Sequence, residues 1–265
     1  MRIAMVSGVL AVAALAAWPV AAQNAAAPAA SAASASAATA IEPRATEALQ
    51  RMSAYLQSLP AFGVKARTAT DQVLTDGQKI RLDADTALWV KRPDRLRVDV
   101  SSDRRSRQFY YDGRNVTIYG RNTGFYARAP APPTLKELTG KLSDDYGLEL
   151  PLADLFTWGN DPAQLSRLTG ATAIGLATVR GTPCDQYAFR QDGLDWQLWI
   201  QRGAQPLPRR LVLTTTTDPA QPQHSVDLDW TTGTPAASLF AFVPPKDAHQ
   251  IPLRRADGSL AAVKP

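Results

Sequence analysis

From Phe62 to Ile118 the chain alternates. Phe62, Val64, Ala66 and Thr68 are separated by more polar neighbours, and Ile80, Leu82, Ala84, Leu88 and Val90 keep the same two-residue period. Leu96, Val98 and Val100 continue it against Arg95, Arg97 and Asp99, followed by Phe109 with Tyr111 and Val116 with Ile118. A helix brings residues three and four apart onto one face and has no use for this pattern. A strand with one buried and one solvated face requires it. Asp76-Gly77 and Asp112-Gly113 punctuate the run as tight turns. The pattern predicts a meander of antiparallel strands with one apolar face, which something must cover.

The covering material is also in the sequence. Ahead of the meander, Glu42-Pro43 suits a first helical turn, Ala45, Leu49, Met52 and Leu56 share one helical face, and Leu59-Pro60 stops the helix. After Pro130–Pro133 the segments Thr134–Tyr146 and Leu150–Trp158 read as helical, with Leu135, Leu138, Leu142, Leu152, Leu155 and Phe156 as apolar positions. Strands resume near Ala171, marked by Tyr187 and Phe189, by Trp196, Leu198 and Ile200, by Leu211 and Leu213, and by Val226, Leu228 and Trp230. Asp192-Gly193 and Gln201-Arg202-Gly203 fall between them as turns, and Phe240, Phe242 and Val243 suggest a last short strand. The sum is an α+β fold of about ten strands, a strongly curved antiparallel sheet folded around its helices. A sandwich is the alternative, but it leaves apolar helices on the surface.

The N-terminus reads as an export signal. Arg2 precedes an apolar run to Val20, and Val20-Ala21-Ala22 presents small residues for cleavage before Gln23. The run is at the short end of the roughly 20 residues that a spanning helix needs. No later stretch reaches that length, so the expectation is a periplasmic protein without a transmembrane segment after cleavage. The chain then divides into a signal peptide (1–22), an Ala/Ser/Pro linker (23–40) too poor in side-chain area to order itself, a folded domain (41–251) and a C-terminal tail (252–265). Cys184, the single cysteine, forms no internal disulfide and reads as buried and inert. The net charge of +5 is dispersed and names no partner, and export argues against nucleic acid.

Catalytic chemistry is hard to place. The two histidines, His224 and His249, sit near a Pro/Gln-rich turn and near the tail, and no Gly-x-Ser-x-Gly elbow accompanies them. Metal ligands lack paired spacing, since Asp144-Asp145 and Asp99 with Asp103 form no known loop. The expectation is a non-enzyme without cofactor or metal. Arg104, Arg105 and Arg107 read as a charged edge that discourages aggregation, or less favourably as a contact for anionic headgroups. Trp89 and Trp199 fall out of phase with their apolar neighbours and should face the other side of the sheet.

Several stretches carry a resemblance. ALQRMSAYLQSL (48–59), KRPDRLRV (91–98), RQFYYDG (107–113), YGLELPLADLFTWG (146–159) and FVPPKDAHQI (242–251) resemble a bacterial family of predicted periplasmic proteins. That family is similar in fold to the outer-membrane lipoprotein carriers LolA and LolB. The resemblance implies an incomplete antiparallel β-barrel with helices plugging its concave face. It also implies a binding or carrier role for a lipid, an acylated lipoprotein or a similar apolar ligand. The facing direction of the side chains then nominates Leu88, Val90, Leu96, Val98, Phe109, Tyr111 and Ile118 on the sheet and Leu152, Leu155 and Phe156 on the plug as ligand-binding residues. The alternative is a filled barrel acting as a protein-interaction or envelope-stress sensing module, with an envelope protein as partner and no bound lipid.

Overall fold

The computed structural model describes residues 40–148, 150, 152–153, 155 and 162–260. The expected signal peptide, nearly all of the expected linker, Phe156, Trp158 and the last residues of the expected tail lie outside the described residues.

Helix α1 (Pro43–Ser58) begins with Pro at its first turn and buries Ala45, Ala48, Leu49, Met52 and Leu56 along one face. Then come β1 (Ala61–Val73), β2 (Lys79–Lys91), β3 (Arg95–Ser101), β4 (Ser106–Tyr111), β5 (Asn115–Gly120) and β6 (Phe125–Pro130). Helix α2 (Leu135–Tyr146) follows, and after it β7 (Leu168–Val179), β8 (Thr182–Gln191), β9 (Leu194–Gln201), β10 (Pro208–Thr215), β11 (Gln223–Thr232) and the two-residue β12 (His249–Gln250). Among the described residues these form one sheet of twelve strands, not about ten, in the order β12-β6-β5-β4-β3-β2-β1-β11-β10-β9-β8-β7.

The sheet is curved and does not close, because β12 and β7 end it without pairing to each other. Every pairing is antiparallel except β12 beside β6. The meander β1–β6 and the meander β7–β11 meet where β1 pairs with β11, Phe62 opposite Thr232 and Thr70 opposite His224. Both helices lie on the same sheet face, each over one half. Helix α1 packs with Tyr187, Phe189, Trp196, Leu198 and Ile200, and α2 packs with the apolar rows of β1–β6.

The expected last strand at Phe240–Val243 is a 3-10 turn (Ala237–Phe240) followed by irregular chain. This segment crosses the outer face, where Phe242 sits against the rings of Tyr110, Tyr119 and Tyr126 at 5.2, 5.5 and 5.1 Å. Pro244 and Pro245 cannot donate to a ladder, so the chain joins the sheet only at His249.

The structure also explains the KRPDRLRV and RQFYYDG stretches. The Arg92 guanidinium donates to the carbonyls of Leu59 and Leu56 at 3.2 and 3.4 Å, holding the C-terminal end of α1. The turn after β4 lies against the turn before β3, so closely that any side chain at Gly113 (φ 84) would collide with Asp94 and Arg95.

Candidate functional site

The sheet residues nominated above fall into two rows that run across the strands. In the first, Val64 faces Leu88, Leu88 faces Val98, Val98 faces Phe109 and Phe109 faces Ile118. In the second, Phe62 faces Val90, then Leu96, Tyr111 and Val116 follow in register. Both rows taper to small residues at β6, Ala127 and Ala129. Antiparallel register thus turns a period-two pattern on five strands into one continuous apolar surface.

Helix α2 covers that surface. Leu135, Leu138, Leu142 and Tyr146 belong to the same buried cluster as the two rows, and Leu150 and Leu155 extend it. Leu148, Leu152 and Ala153 pack at its margin. Leu88, Val90 and Val98 are 0% exposed and Leu96 is 1% exposed, so these positions are occupied by α2 and are not open to solvent. Phe109, Tyr111 and Leu155 are buried, and Ile118 and Leu152 are half-buried. Leu152 sits in the left-handed region (φ 60), with its carbonyl accepting from the Leu155 amide at 3.0 Å.

The helix is tied to the rest of the protein mainly at its ends. Thr134 caps it, its hydroxyl accepting from the Glu137 amide at 3.3 Å and donating to the Glu137 carboxylate at 2.9 Å. The Leu135 amide donates to Pro93 at 3.0 Å. At the other end Gly147 takes the left-handed conformation (φ 61) that ends the helix, and the Ala256 amide of the tail donates to Asp145 at 2.9 Å. Between these ends its contacts with the sheet are apolar.

The site is electrically quiet. The polar atom of the nominated set, the Tyr111 hydroxyl, donates to the Pro132 carbonyl at 2.5 Å. Burial pushes its pKa up to about 12, so the phenol is neutral at physiological pH. On the opposite face Arg210 forms a bidentate pair with Asp227 at 2.5 and 2.8 Å. Trp199 and Trp89 are on that face, as their phase requires, under the guanidinium groups of Arg210 (5.8 Å) and Arg97 (5.6 Å). A polar groove of about 870 Å³ runs there past Arg67, Asp85, Trp199, Arg210 and Asp227. Arg104 and Arg105 line a second groove of about 530 Å³ with Thr70 and Leu82.

The His224 ring is bonded to the Thr70 hydroxyl at 2.7 Å and the His249 ring lies against Phe125. Among the described residues no group of three or more His, Cys, Asp or Glu is placed to hold a metal ion. Sequence reasoning missed the covering of the outer face by Phe242. The available signal was the out-of-phase placement of Tyr110, Tyr119 and Tyr126, which parallels that of Trp89.

Residues 45–254 match the family model described as predicted periplasmic protein, DUF2092. No curated protein sequence matches the chain. Among solved structures the chain is similar to the lipoprotein LppX of Mycobacterium tuberculosis, at 12% identity and TM-score 0.45, covering 71% of this chain and 94% of that one. It is similar to LprF of Mycobacterium bovis at 16% identity and TM-score 0.44, covering 79% and 99%. A LolA superfamily protein of Nitrosomonas europaea is similar at 9% identity and TM-score 0.38, covering 75% and 97%.

Proposed function

The chain belongs to the DUF2092 family of predicted periplasmic proteins, and from that membership and the site's geometry we propose a periplasmic binding or carrier protein that holds a lipid, a lipoprotein acyl chain or a similarly apolar ligand in the half-barrel. One observation carries the reading. A continuous, uncharged apolar surface on β1–β6 is closed by a helix tied down at its ends, not by further sheet. Helix α2 acts in this reading as a plug that the ligand displaces.

The energies are of matching size. Burying the four apolar side chains of α2 is worth about 6–12 kcal/mol, at about 1.5–3 kcal/mol each. An alkyl chain returns about 0.8 kcal/mol per methylene, so a chain of about a dozen methylenes replaces the helix at little net cost. Shorter apolar molecules do not, which makes long-chain selectivity a property of the plug. This reading assigns no catalytic step.

The complete burial of Leu88, Val90 and Val98 favours a second reading, in which the barrel stays filled and serves as the scaffold of a protein-interaction or envelope-stress sensing module. Native mass spectrometry of the mature protein purified from the periplasm, followed by organic extraction, separates the two. A co-purifying lipid or acyl mass is the expected result. A clean apo mass that takes up neither added fatty acid nor lipopeptide would refute the carrier.

A further inference from the structure

Arg104, Arg105 and Arg107 guard no sheet edge. They belong to the turn between β3 and β4 and to the start of β4, and β4 has β3 on one side and β5 on the other. The strand order therefore overturns the expectation of a charged edge that discourages aggregation. Register gives these residues a different place. One step along the strands from the row through Leu88, Val98 and Phe109 comes a third row on the same face, in which Thr86 faces Val100, Val100 faces Arg107 and Arg107 faces Gly120. Val100 still packs against the apolar cluster, whereas Arg107 is exposed. Further on, Thr68 opposite Ala84 and Thr70 opposite Leu82 keep the phase of Val64 and Leu88. These four residues, with Arg104 and Arg105, line the open groove of about 530 Å³. One face thus passes from apolar rows, through Arg107, to a groove edged by arginines.

On the other face Arg81, Arg97 and Arg210 each have a carboxylate partner, Asp83, Asp99 and Asp227, at 2.8, 2.9 and 2.5 Å. Among the described residues no ion pair engages Arg104, Arg105 or Arg107, and Asp103 is the acid they outnumber. Their turn is ordered, with the Ser102 hydroxyl accepting from the Arg104 and Arg105 amides at 3.4 and 3.2 Å and the Ser102 amide donating to the Arg105 carbonyl at 2.8 Å. We propose that this end of the face is a headgroup site and that the ligand is a lipid carrying a phosphate. Its alkyl chain rests on the rows through Leu88 and Val90, and its phosphate sits among Arg104, Arg105 and Arg107. This rests on the carrier reading above. The donor count favours phosphate over a plain carboxylate. Three guanidinium groups present roughly fifteen N–H donors, and a carboxylate has only about four lone-pair sites to offer them. A phosphate accepts from several guanidinium groups at once, in bidentate pairs.

Displacement of an uncharged fluorescent acyl probe from the delipidated mature protein, by hexadecyl phosphate and by hexadecanol, tests this. Hexadecyl phosphate is expected to bind about tenfold or more tightly than hexadecanol, the size of one charge-assisted contact. Arg104→Gln combined with Arg107→Gln should abolish that preference while leaving hexadecanol affinity and the melting temperature unchanged, since both side chains are exposed. Arg107→Lys alone should keep part of the preference, because an ammonium retains the charge and loses the fork. Equal affinity for the two alkyl compounds, or a preference that survives the double substitution, overturns the headgroup site and leaves the carrier standing. Failure of the probe and of both compounds to bind overturns the two together. Inorganic phosphate titrated alone by calorimetry should bind far more weakly than hexadecyl phosphate; equal affinity would make this a small-anion site and overturn the lipid assignment.

Discussion

Replacing Leu142 with alanine asks whether α2 is a plug or a permanent part of the core. Leu142 is 1% exposed and belongs to the same buried cluster as both apolar rows. Truncating such a leucine costs about 2–5 kcal/mol. Taken at about 2.7 kcal/mol, the closed arrangement loses about a hundredfold in population relative to an open one. Apparent affinity scales with the fraction of molecules already open, so a long-chain fatty acid should bind up to about a hundredfold more tightly while the protein melts earlier. Displacement of a fluorescent fatty acid, run beside urea unfolding, reads both quantities. Val98→Ala is the contrast, because Val98 is on the sheet, where the ligand itself would rest; there stability and affinity should fall together. A Leu142→Ala variant that loses stability with unchanged or weaker affinity refutes the plug.

Other substitutions probe the frame around the site. Arg92→Ala removes the charged donors at the end of α1 and should cost about 1.5–3 kcal/mol in urea unfolding. Arg92→Lys should recover only part of it, because an ammonium lacks the fork that reaches two carbonyls. Tyr111→Phe leaves the Pro132 carbonyl without its donor, at about 1–3 kcal/mol. In the wild type, the unfolded phenol ionises near 10.0 while the folded one keeps its proton to about 12. Its contribution is therefore complete below the unfolded value and lost as pH rises through the folded one. The variant should show a shallower alkaline decline, measured as unfolding free energy against pH.

Much of this architecture is readable from single residues. The alternation of Leu88, Val90, Leu96 and Val98 assigns each to one face, and the phase of Trp89 and Trp199 assigns them to the other, because strand side chains have no third choice. Asp112-Gly113 locates a turn for the same local reason. What the chain does not display is which distant strands pair. The join of β1 with β11 depends on contacts between residues far apart in sequence, and no local pattern encodes it. Nor does periodicity say what covers a face. Leu88 and Val98 are recognisable as inward-facing, yet whether a helix, a ligand or solvent meets them is decided by where α2 lands. The C-terminal segment misled for a related reason. Phe240 and Phe242 alternate like a strand, but their partners are an aromatic cup on the outer face and not a neighbouring ladder.

The join at β1 and β11 also governs the order of assembly. Strands β1–β6 are hairpin neighbours and can zip as soon as they emerge, but β1 keeps one bare side until β11, near the end of the chain, arrives to take it. Non-local pairing of this kind is slow, since loop closure precedes any return from contact. During that interval the strand that supplies Phe62, Val64 and Ala66 to the core is an open edge. A chain cut short before Gln223 would therefore yield an aggregating fragment and not a smaller working domain.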